Sequence, residues 1–347
     1  MYLEQLLPAL AAEGVEAIAA QDFARRPPGA GGIASLANAA HDLRWRERLA
    51  RMARRCEADV IHHPLPARSW SADRPQVVTV HDLAYLLQPA LFSTRYRLHA
   101  RLEHGLAARR AAAVVCVTQA TRHDLIARVG VDPTRVIVAH HGPGQFAAGP
   151  PAGHGEQLRA QASGYYLYVG DAEPRKNLPL LMEGHARYRE AARAAGEPAL
   201  ELVLAGALSA LAWQRGVTVV GRPSRQRLGE LLRGATALVH PARVEGFGLT
   251  PLEAMACGTP VLALRSPAVV EVCAGAARYL DEEDPGVLAH ELRRLALDGE
   301  LGAQLRGQGL ARAAEFSWAA SARAHIEAYT LALRSVTSRR PPQQRDR

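Results

Sequence analysis

The stretch from Val244 to Gly258, VEGFGLTPLEAMACG, places two carboxylates on either side of a glycine loop. Glu245 and Glu253 are eight residues apart, and both glycines of Gly246-Phe247-Gly248 lie between them. Glycines let backbone N–H groups approach a ligand closely, and N–H groups at the start of a helix favour an anionic or hydroxyl-rich group. Carboxylates accept hydrogen bonds from vicinal hydroxyls, which sugar and ribose rings offer. The spacing therefore predicts a site for a phosphorylated or sugar-like ligand.

The same stretch also carries the signals of a capped helix. Thr250 is a good N-cap, Pro251 suits the first helical position, and Glu253 stands three residues after the cap, as in a capping box. Gly258 suits the left-handed position at the end of such a helix. Glu253 could therefore serve only the backbone of its own helix, and the residues alone leave both roles open.

A second candidate is Lys176, in the stretch Gly170–Pro179, GDAEPRKNLP. It is the only lysine in the chain, and the rest of the 42 lysines and arginines are arginines. A compact ammonium on a flexible stem can reach bridging and terminal phosphate oxygens, which favours a role in phosphate binding. The alternative is a solvated loop lysine, because one lysine can remain anywhere in an arginine-rich chain.

Strands and helices must position these residues, and short β-branched apolar runs alternate with helical patterns along the chain. This rhythm predicts parallel sheets covered by helices, in which ligands bind beyond the carboxyl ends of the strands. The predicted strands are Val77–Val80, Ala113–Val117, Val136–Ala139, Tyr165–Val169, Leu202–Ala205, Val217–Val220, Ala237–His240 and Pro260–Leu264. The predicted helices include Tyr96–Arg110, Ala120–Val129, Leu178–Ala195 and Gln226–Gly234.

Sequence rich in Gly and Pro, between His141 and Gly164, interrupts this rhythm and predicts a linker. We therefore expect an amino-terminal Rossmann-like domain at 1–145, a linker at 146–164, a carboxy-terminal Rossmann-like domain at 165–334 and a disordered tail at 335–347. The first residues, MYLEQLLPAL, already have a helical pattern, with leucines on one face. The strand and tight loop that usually open such a domain are therefore expected to be missing.

Composition excludes several classes of protein. The four cysteines include no CxxC pair and no set with zinc-ligand spacing, so we expect reduced thiols in a cytoplasmic protein. We expect no signal peptide and no membrane-spanning segment, because the sequence contains no apolar run of sufficient length. The net charge of +8 and the pI of about 9.7 favour anionic partners, although the charge is spread along the chain and does not choose among them.

The stretch EGFGLTPLE, continued by AMACGTPVLA, resembles the E-x7-E element of glycosyltransferase family 4, also called group 1, the retaining group with the GT-B fold. YYLYVGDAEPRKNL, VVTVHDLAYL, VCVTQATRHDLIARVGV and the late FSW extend this resemblance over nearly the whole chain. The resemblance implies two Rossmann-like, doubly wound domains that face each other across a cleft. The carboxy-terminal domain would bind the nucleotide sugar donor and the amino-terminal domain the acceptor, with the last helix packing back on the amino-terminal domain.

The resemblance also implies roles for individual residues of the donor site. Lys176 matches the family lysine that grips the donor diphosphate, and Arg175 could add a second charge. Many members have a basic residue where this chain has Asp171, so we expect Asp171 either to weaken phosphate affinity or to point away and cap Asn177 or the following helix.

The glutamates and the loop between them would complete that site. Glu253 matches the family glutamate that accepts hydrogen bonds from the ribose hydroxyls, and Glu245 the one near the transferred sugar and its phosphate. His81 matches the histidine that faces the reacting sugar, although it could also be a strand-end histidine bonded locally, with Asp82 as a helix cap. The other residues expected to line the donor site are Gly246, Phe247, Gly248, Leu249 and Thr250.

We expect the chemistry to need no metal or other cofactor, because the sequence has no D-x-D pair and positive charges offer an alternative to a metal. The resemblance points to front-face attack, in which the donor phosphate takes the acceptor proton. It favours a hexose donor, with GDP-mannose as the best match, and a glycan or lipid-linked acceptor. We expect no nucleic-acid partner.

Two basic stretches bear on membrane contact. Arg44–Arg55 spaces Trp45, Leu49 and Met52 along a helix, and Tyr96–Arg110 is similar. Basic amphipathic helices can lie on an anionic bilayer, which would place the protein on the inner face of the cell membrane. The alternative is a solvated face over an ordinary core-facing stripe. Asp281–Asp284, DEED, is interpreted as a solvated turn, and His62 and His63 as structural histidines.

The sequence also leaves other functions open. A catalytically silent GT-B protein that binds nucleotide sugars or acts as a scaffold would explain Asp171 and the missing first strand. A GT-B epimerase acting on a sugar nucleotide is a further enzyme alternative. A phosphorylase is disfavoured, because it needs a lysine late in the chain for pyridoxal phosphate and the only lysine is Lys176.

Overall fold

The structure is a computed structural model that describes residues 2–20, 33–144, 164–208 and 214–337. The chain divides into two compact units, here called the first unit (Met1–His140 with Trp318–Arg347) and the second unit (His141–Ser317). The predicted linker at 146–164 lies outside the described residues except for Gly164, and so does the predicted tail from residue 338 onward. Residues 335–337, assigned to the tail from sequence, form the last turn of the final helix.

The second unit therefore ends earlier than the predicted domain, which ran to residue 334. The final helix, Trp318–Thr337, belongs to the first unit and contacts three of its strands. Ala328 and Ala332, four residues apart on this helix, are completely buried against Val77 and Val115 of the sheet. Small side chains let the helix axis come close to the sheet. The chain thus forms the second unit and then returns to the first with its final helix.

The first unit is built on a four-stranded parallel sheet in the order β1-β2-β3-β4. The strands are β1 (Ile61–His63), β2 (Gln76–Val80), β3 (Ala113–Cys116) and β4 (Val136–Val138). Its helices are α1 (Tyr2–Ala12), α2 (Ile33–Arg55), α3 (Ala84–Leu87), α4 (Thr94–Arg110), α5 (Gln119–Asp124) and α12 (Trp318–Thr337). Alternate strand residues face opposite layers, so Val78 and Val114 pack toward Ala100 and Leu125 while Val77 packs toward α12.

The first helix forms as predicted, and none of the described residues before Ile61 is in a strand. Leu6 and Leu10 are buried against Ala322 of α12, whereas Leu3, placed on the same face from sequence, is 39% exposed. Contact with α12 therefore involves a narrower stripe of α1 than the leucine pattern indicates.

The second unit contains a six-stranded parallel sheet in the order β10-β9-β8-β5-β6-β7. The strands are β5 (Tyr165–Val169), β6 (Glu201–Ala205), β7 (Val217–Gly221), β8 (Ala237–His240), β9 (Val261–Leu264) and β10 (Arg278–Leu280). The helices are α6 (Leu178–Ala194), α7 (Arg225–Gly234), α8 (Leu249–Ala256), α9 (Pro267–Cys273), α10 (Pro285–Leu297) and α11 (Gly299–Ala313). Short 3-10 turns occur at Pro89–Leu91, Pro133–Arg135, Pro174–Lys176 and Ala274–Ala276, and a π-helical turn at Leu125–Val129.

The order of strands places two loops side by side. β5 pairs with β6 on one side and with β8 on the other. The strand order therefore reverses between β5 and β8, because β6 and β7 extend the sheet in one direction and β8, β9 and β10 in the other. Ligands of doubly wound sheets bind at such a switch point, beyond the carboxyl ends of the strands. The loop after β5 carries Lys176 and the loop after β8 carries Glu245, so both candidate groups start from this edge. No helix within the described ranges is both long and apolar enough to span a bilayer.

Candidate functional site

The loop after β5 ends in a tight turn that presents two cations. Pro174–Lys176 forms a 3-10 turn, in which the Lys176 amide donates to the Glu173 carbonyl at 2.9 Å. Asn177 then adopts a left-handed conformation, with φ of 54°, and precedes α6. Side chains of Arg175 and Lys176 therefore leave the turn at adjacent positions just before a helix begins.

The loop after β8 is fastened to this turn through the main chain. The Arg243 amide donates to the Arg175 carbonyl at 2.9 Å. The loop then runs to Gly248, whose φ of 92° favours glycine and starts α8 at Leu249. A Cβ on Gly248 would lie 3.4 Å from Val269 Cγ2, which is ordinary van der Waals contact, so the backbone conformation is the main obstacle to a side chain there.

The predicted capping box is wrong. Gly248 is the N-cap of α8, no side chain caps it, and Thr250 and Pro251 lie inside the first turn. Glu253 is consequently too far along the helix to bond the cap backbone as a capping-box glutamate does. Its side chain is buried, with 3% of the residue exposed. The helix begins earlier than the pattern of capping residues indicates because a left-handed glycine, Gly248, starts it.

Three basic side chains converge on Glu245. The Lys176 ammonium donates to Glu245 Oε1, and Arg175 Nη1 lies 3.4 Å from Glu245 Oε2. His240 Nε2, at the end of β8, is 3.3 Å from Glu245 Oε1. The Lys176 side chain is 12% exposed and that of Glu245 is 11% exposed. The only lysine therefore lies against the glycine loop.

The charges of this cluster are set by burial and by the opposed ions. Burial raises the pKa of Glu245, but the contact with His240 and the charges of Lys176 and Arg175 outweigh it and hold that pKa far below its usual range. Burial lowers the pKa of His240, and the nearby Glu245 only partly offsets this effect. At neutral pH the cluster thus contains an ionised carboxylate, two cations and a neutral imidazole. His240 was not among the predicted site residues, although its place at the end of a predicted strand was a usable signal.

Asp171 binds neither of the two cations and does not cap Asn177. Its carboxylate accepts a hydrogen bond from the Ala207 amide at 2.8 Å and one from Arg222 at 2.6 Å. The Ala207 amide and the Arg222 charge lower the pKa of Asp171, so it stays ionised. Since the ion pair is exposed, it adds little stability, and its effect is to tie the loop after β5 to the loop after β6.

The acidic run at 281–284 is exposed, as expected for a solvated turn, but three of its carboxylates bind specific partners. Glu283 binds Arg243 through two nitrogens, at 2.6 and 2.8 Å, and accepts a bond from Asn177 at 3.1 Å. Asp281 pairs with Arg265, and Asp284 caps α10 by accepting from the Gly286 and Val287 amides. These partners lie far away in sequence or depend on where α10 begins, so a run of acidic letters does not indicate them.

His81 follows β2 in the first unit. Its Nε2 is 3.0 Å from the Pro64 carbonyl oxygen, and the Tyr2 ring meets it edge-on with centroids 4.9 Å apart. Burial lowers the pKa of His81, so its ring is neutral near pH 7. Asp82 is not the N-cap of α3, which is Leu83, but its Oδ1 accepts from the Ala84 amide at the start of that helix.

A buried polar network lies beneath this histidine. His62 bonds Tyr329 at 2.9 Å and Thr79 at 2.8 Å, and Tyr2 bonds His325 at 2.7 Å. Burial lowers the pKa of His62 well below its usual value and that of His325 to about 4. Their ring nitrogens have partners, as expected for buried polar groups, which fits the structural interpretation of His62.

The residues described here contain no group of three or more His, Cys, Asp or Glu side chains placed to hold a metal ion. All described donor-site candidates, which are Arg175, Lys176, Glu245, Gly246, Phe247, Gly248, Leu249, Thr250 and Glu253, lie in the second unit. His81 lies in the first unit.

Two parallel α/β sheets, each covered by helices, define a protein of the GT-B fold class. Among solved structures, WaaG, a glycosyltransferase involved in lipopolysaccharide biosynthesis, superimposes with a TM-score of 0.70 at 18% identity, covering 93% of this chain and 94% of WaaG. Anabaena HepE in complex with UDP and glucose gives a TM-score of 0.61 at 20% identity, covering 84% and 81% of the two chains.

Family models cover most of the sequence. Residues 154–311 match the model for glycosyl transferases group 1, and residues 1–142 match the model for glycosyltransferase family 4. The chain therefore belongs to the group 1 glycosyltransferases of family 4.

Curated relatives are named as glycosyltransferases. D-inositol 3-phosphate glycosyltransferase of Salinispora arenicola is 32% identical over 243 residues, which are 62% of this chain and 54% of that protein. O-antigen chain mannosyltransferase B of Escherichia coli is 31% identical over 179 residues, or 48% and 46% of the two chains. The chain thus spans about half the length of the curated relatives it matches.

Proposed function

We propose that this protein transfers a hexose from a nucleoside diphosphate sugar to a glycan or lipid-linked acceptor, with retention at the anomeric carbon. The observation that carries the proposal is the convergence of Lys176 and Arg175 on Glu245 at the switch point of the second sheet. Two cations beside a glycine loop and a helix start suit a diphosphate.

The donor diphosphate binds between the Pro174–Lys176 turn, here called the basic turn, and the start of α8. Its oxygens bind the Lys176 ammonium and the Arg175 guanidinium, which also contact Glu245. When no donor is bound, Glu245 keeps both cations in place. Glu253, buried on α8, accepts hydrogen bonds from the ribose hydroxyls. Backbone N–H groups near Gly248 and Leu249 face the phosphates, because the first amides of a helix have no partner within it.

Catalysis depends on stabilising the leaving group. The bond between the anomeric carbon and the diphosphate oxygen breaks, the acceptor oxygen bonds that carbon from the same face, and the acceptor proton passes to the departing diphosphate. Lys176 and Arg175 neutralise the developing charge and supply what a metal supplies in other transferases. Removing one such preorganised donor typically raises the barrier by about 2.7–4 kcal/mol.

The hexose is mannose, carried by GDP. Support comes from the likeness to O-antigen chain mannosyltransferase B, and the competing donor is UDP-glucose, since HepE was solved with UDP and glucose. The test measures nucleoside diphosphate release from a panel of nucleotide sugars with glycan and lipid-linked acceptors, and we expect GDP-mannose to give the highest kcat/KM.

The panel also separates the alternatives. Faster turnover of UDP-glucose would replace the donor and leave the reaction class intact. Release from no donor, together with nucleotide binding by calorimetry, would refute the transferase proposal in favour of a silent binding protein. Conversion of one sugar nucleotide into its epimer without acceptor would favour an epimerase.

We further propose that the protein lies in the cytoplasm and contacts the inner face of the cell membrane through α4. Leu98 and Leu102, one turn apart on α4, are 61% and 63% exposed, and Arg95 and Arg101 beside them are also exposed. An apolar pair between cations suits an anionic bilayer. By contrast, the apolar residues of the α2 stretch, Trp45, Leu49 and Met52, are half-buried.

Vesicle flotation tests this contact. Burying a leucine completely is worth about 1.5–3 kcal/mol, and burial at an interface is partial, so Leu98→Ser with Leu102→Ser should weaken binding to phosphatidylglycerol vesicles about tenfold. Leu297→Ser removes a leucine of similar exposure from the second unit and serves as the control. Equal flotation of all three proteins would contradict the proposal.

A further inference from the structure

The turn that carries Lys176 is held from outside by a set of three residues, here called the Glu283 clamp: Glu283, Arg243 and Asn177. Glu283 Oε2 accepts from Arg243 Nη2 at 2.6 Å and from Asn177 Nδ2 at 3.1 Å. Arg243 Nε adds a bond to Glu283 Oε1 at 2.8 Å, so the arginine is bound in a bidentate manner. One carboxylate thus joins the loops that follow β5, β8 and β10.

Both partners of Glu283 act directly on the basic turn. Arg243 donates its amide to the Arg175 carbonyl at 2.9 Å, and its Nη1 lies 3.5 Å from the Pro174 carbonyl. Asn177 ends the turn in a left-handed conformation that most side chains avoid, and its side-chain Nδ2 donates to Glu283. The same carboxylate thus contacts the residue that ends the turn and the arginine that binds two of its carbonyl groups.

We infer that Glu283 is a positioning residue, which holds the Pro174–Lys176 turn so that Lys176 and Arg175 face the donor diphosphate. The role of the two cations rests on the proposed function, whereas the Glu283 clamp rests only on the contacts of its three residues. Glu283 does not touch Lys176, so it acts through Arg243 and Asn177.

The surroundings of Glu283 allow it to be removed without unfolding the unit. It is exposed, on a turn whose following helix, α10, has its own cap in Asp284. Its neighbour Glu282 is also exposed and, among the described residues, makes no hydrogen bond or ion pair, so Glu282→Ala is a control of equal charge change.

The single lysine makes the turn visible by itself. If the expression tag contains no lysine, a protein labelled with [15N]lysine gives one backbone amide peak in a 1H–15N NMR spectrum. This peak comes from the Lys176 amide, which donates to the Glu173 carbonyl. We expect Glu283→Ala to shift or broaden this peak and Glu282→Ala to leave it unchanged. Glu283→Gln keeps an oxygen for Asn177 and should give an intermediate position. An unchanged peak in Glu283→Ala would overturn the inference.

Titration with GDP and with UDP then tests the link to the donor. In metal sites, the residues that orient the metal ligands are typically worth about 10- to 100-fold in affinity. For the orientation of two cations we expect the lower end, so Glu283→Ala should raise the Kd of the tighter nucleotide about tenfold and Glu282→Ala should leave it unchanged. Because Glu283 acts through Arg243, the effects of Glu283→Ala and Arg243→Ala should be less than additive in the double variant. Full additivity, or an unchanged Kd, would overturn the positioning role.

Failure of the two ideas can be told apart. If Glu283→Ala moves the lysine peak while neither nucleotide moves it in the wild-type protein, the clamp stands and the proposed diphosphate role of Lys176 is wrong. If the nucleotides move the peak equally in all variants, the diphosphate role stands and the clamp does not position it.

Discussion

Lys176→Ala should separate catalysis from stability. The ammonium is the nearest cation to Glu245, and without it the carboxylate would keep one cation, Arg175 at 3.4 Å, together with the neutral His240 at 3.3 Å. Removing one member of a buried ion pair typically costs about 3–5 kcal/mol. Because Arg175 remains, we expect the lower end, a fall of about 3 kcal/mol in the free energy of unfolding, which denaturant titration measures.

The effect on activity follows from the role of the ammonium as a donor to the leaving group. A loss of about 2.7–4 kcal/mol of transition-state stabilisation lowers kcat about 100- to 1,000-fold, at about 1.4 kcal/mol for each factor of ten. Nucleoside diphosphate release under saturating donor measures kcat. Lys176→Arg, which keeps the charge but changes its geometry, should retain more of the stability than of the activity.

The double variant Lys176→Ala with Glu245→Ala provides the decisive comparison. It removes the stranded carboxylate, so stability should recover toward the wild-type value while turnover stays low. Near-normal kcat/KM in Lys176→Ala, with native circular dichroism, would refute the assignment of Lys176. Recovery of turnover in the double variant would show instead that the single variant failed through the stranded charge alone.

Three further results are expected. Glu253→Ala should weaken the binding of GDP or UDP about tenfold, since a hydrogen bond to a charged group is worth about 1.5–3 kcal/mol. The variant should also bind the 2′,3′-dideoxy nucleotide as tightly as the ribonucleotide, whereas the wild-type protein should prefer the ribonucleotide. A preference for ribose that persists in the variant, measured by calorimetry, would contradict this role. Gly248→Ala should destabilise the second unit by about 1–2 kcal/mol, because alanine is strained at φ of 92°, and a melting temperature equal to that of Gly246→Ala would argue against the strain. His325 has a pKa of about 4 in the folded protein and binds a proton more readily when the protein is unfolded. The free energy of unfolding should therefore keep its full value above about pH 6.5 and fall, by up to about 3 kcal/mol, as the pH drops toward 4. Melting in that range should become less dependent on pH in His325→Gln, and an unchanged slope would show that other groups carry the dependence.

Local patterns predicted most of the sheet. Tyr165–Val169 and Ala237–His240 have the predicted bounds, because continuous apolar, β-branched runs are typical of strands buried on both faces. β10 was not predicted, since it has only three residues and begins with a charged one. The start of α8 was misplaced because a left-handed glycine, and not the best capping side chain, begins the helix.

The sequence by itself determined that a lone lysine and a carboxylate-flanked glycine loop each follow a strand of a parallel sheet. Only the tertiary structure decided that β8 lies next to β5, which brings Glu245 onto Lys176, and that Asp171 turns to Arg222. It also decided that Glu283 binds Arg243 and Asn177, 40 and 106 residues away in the chain. The physical reason is that strand preference is local, whereas strand order and ion pairing depend on which distant loops meet at one sheet edge.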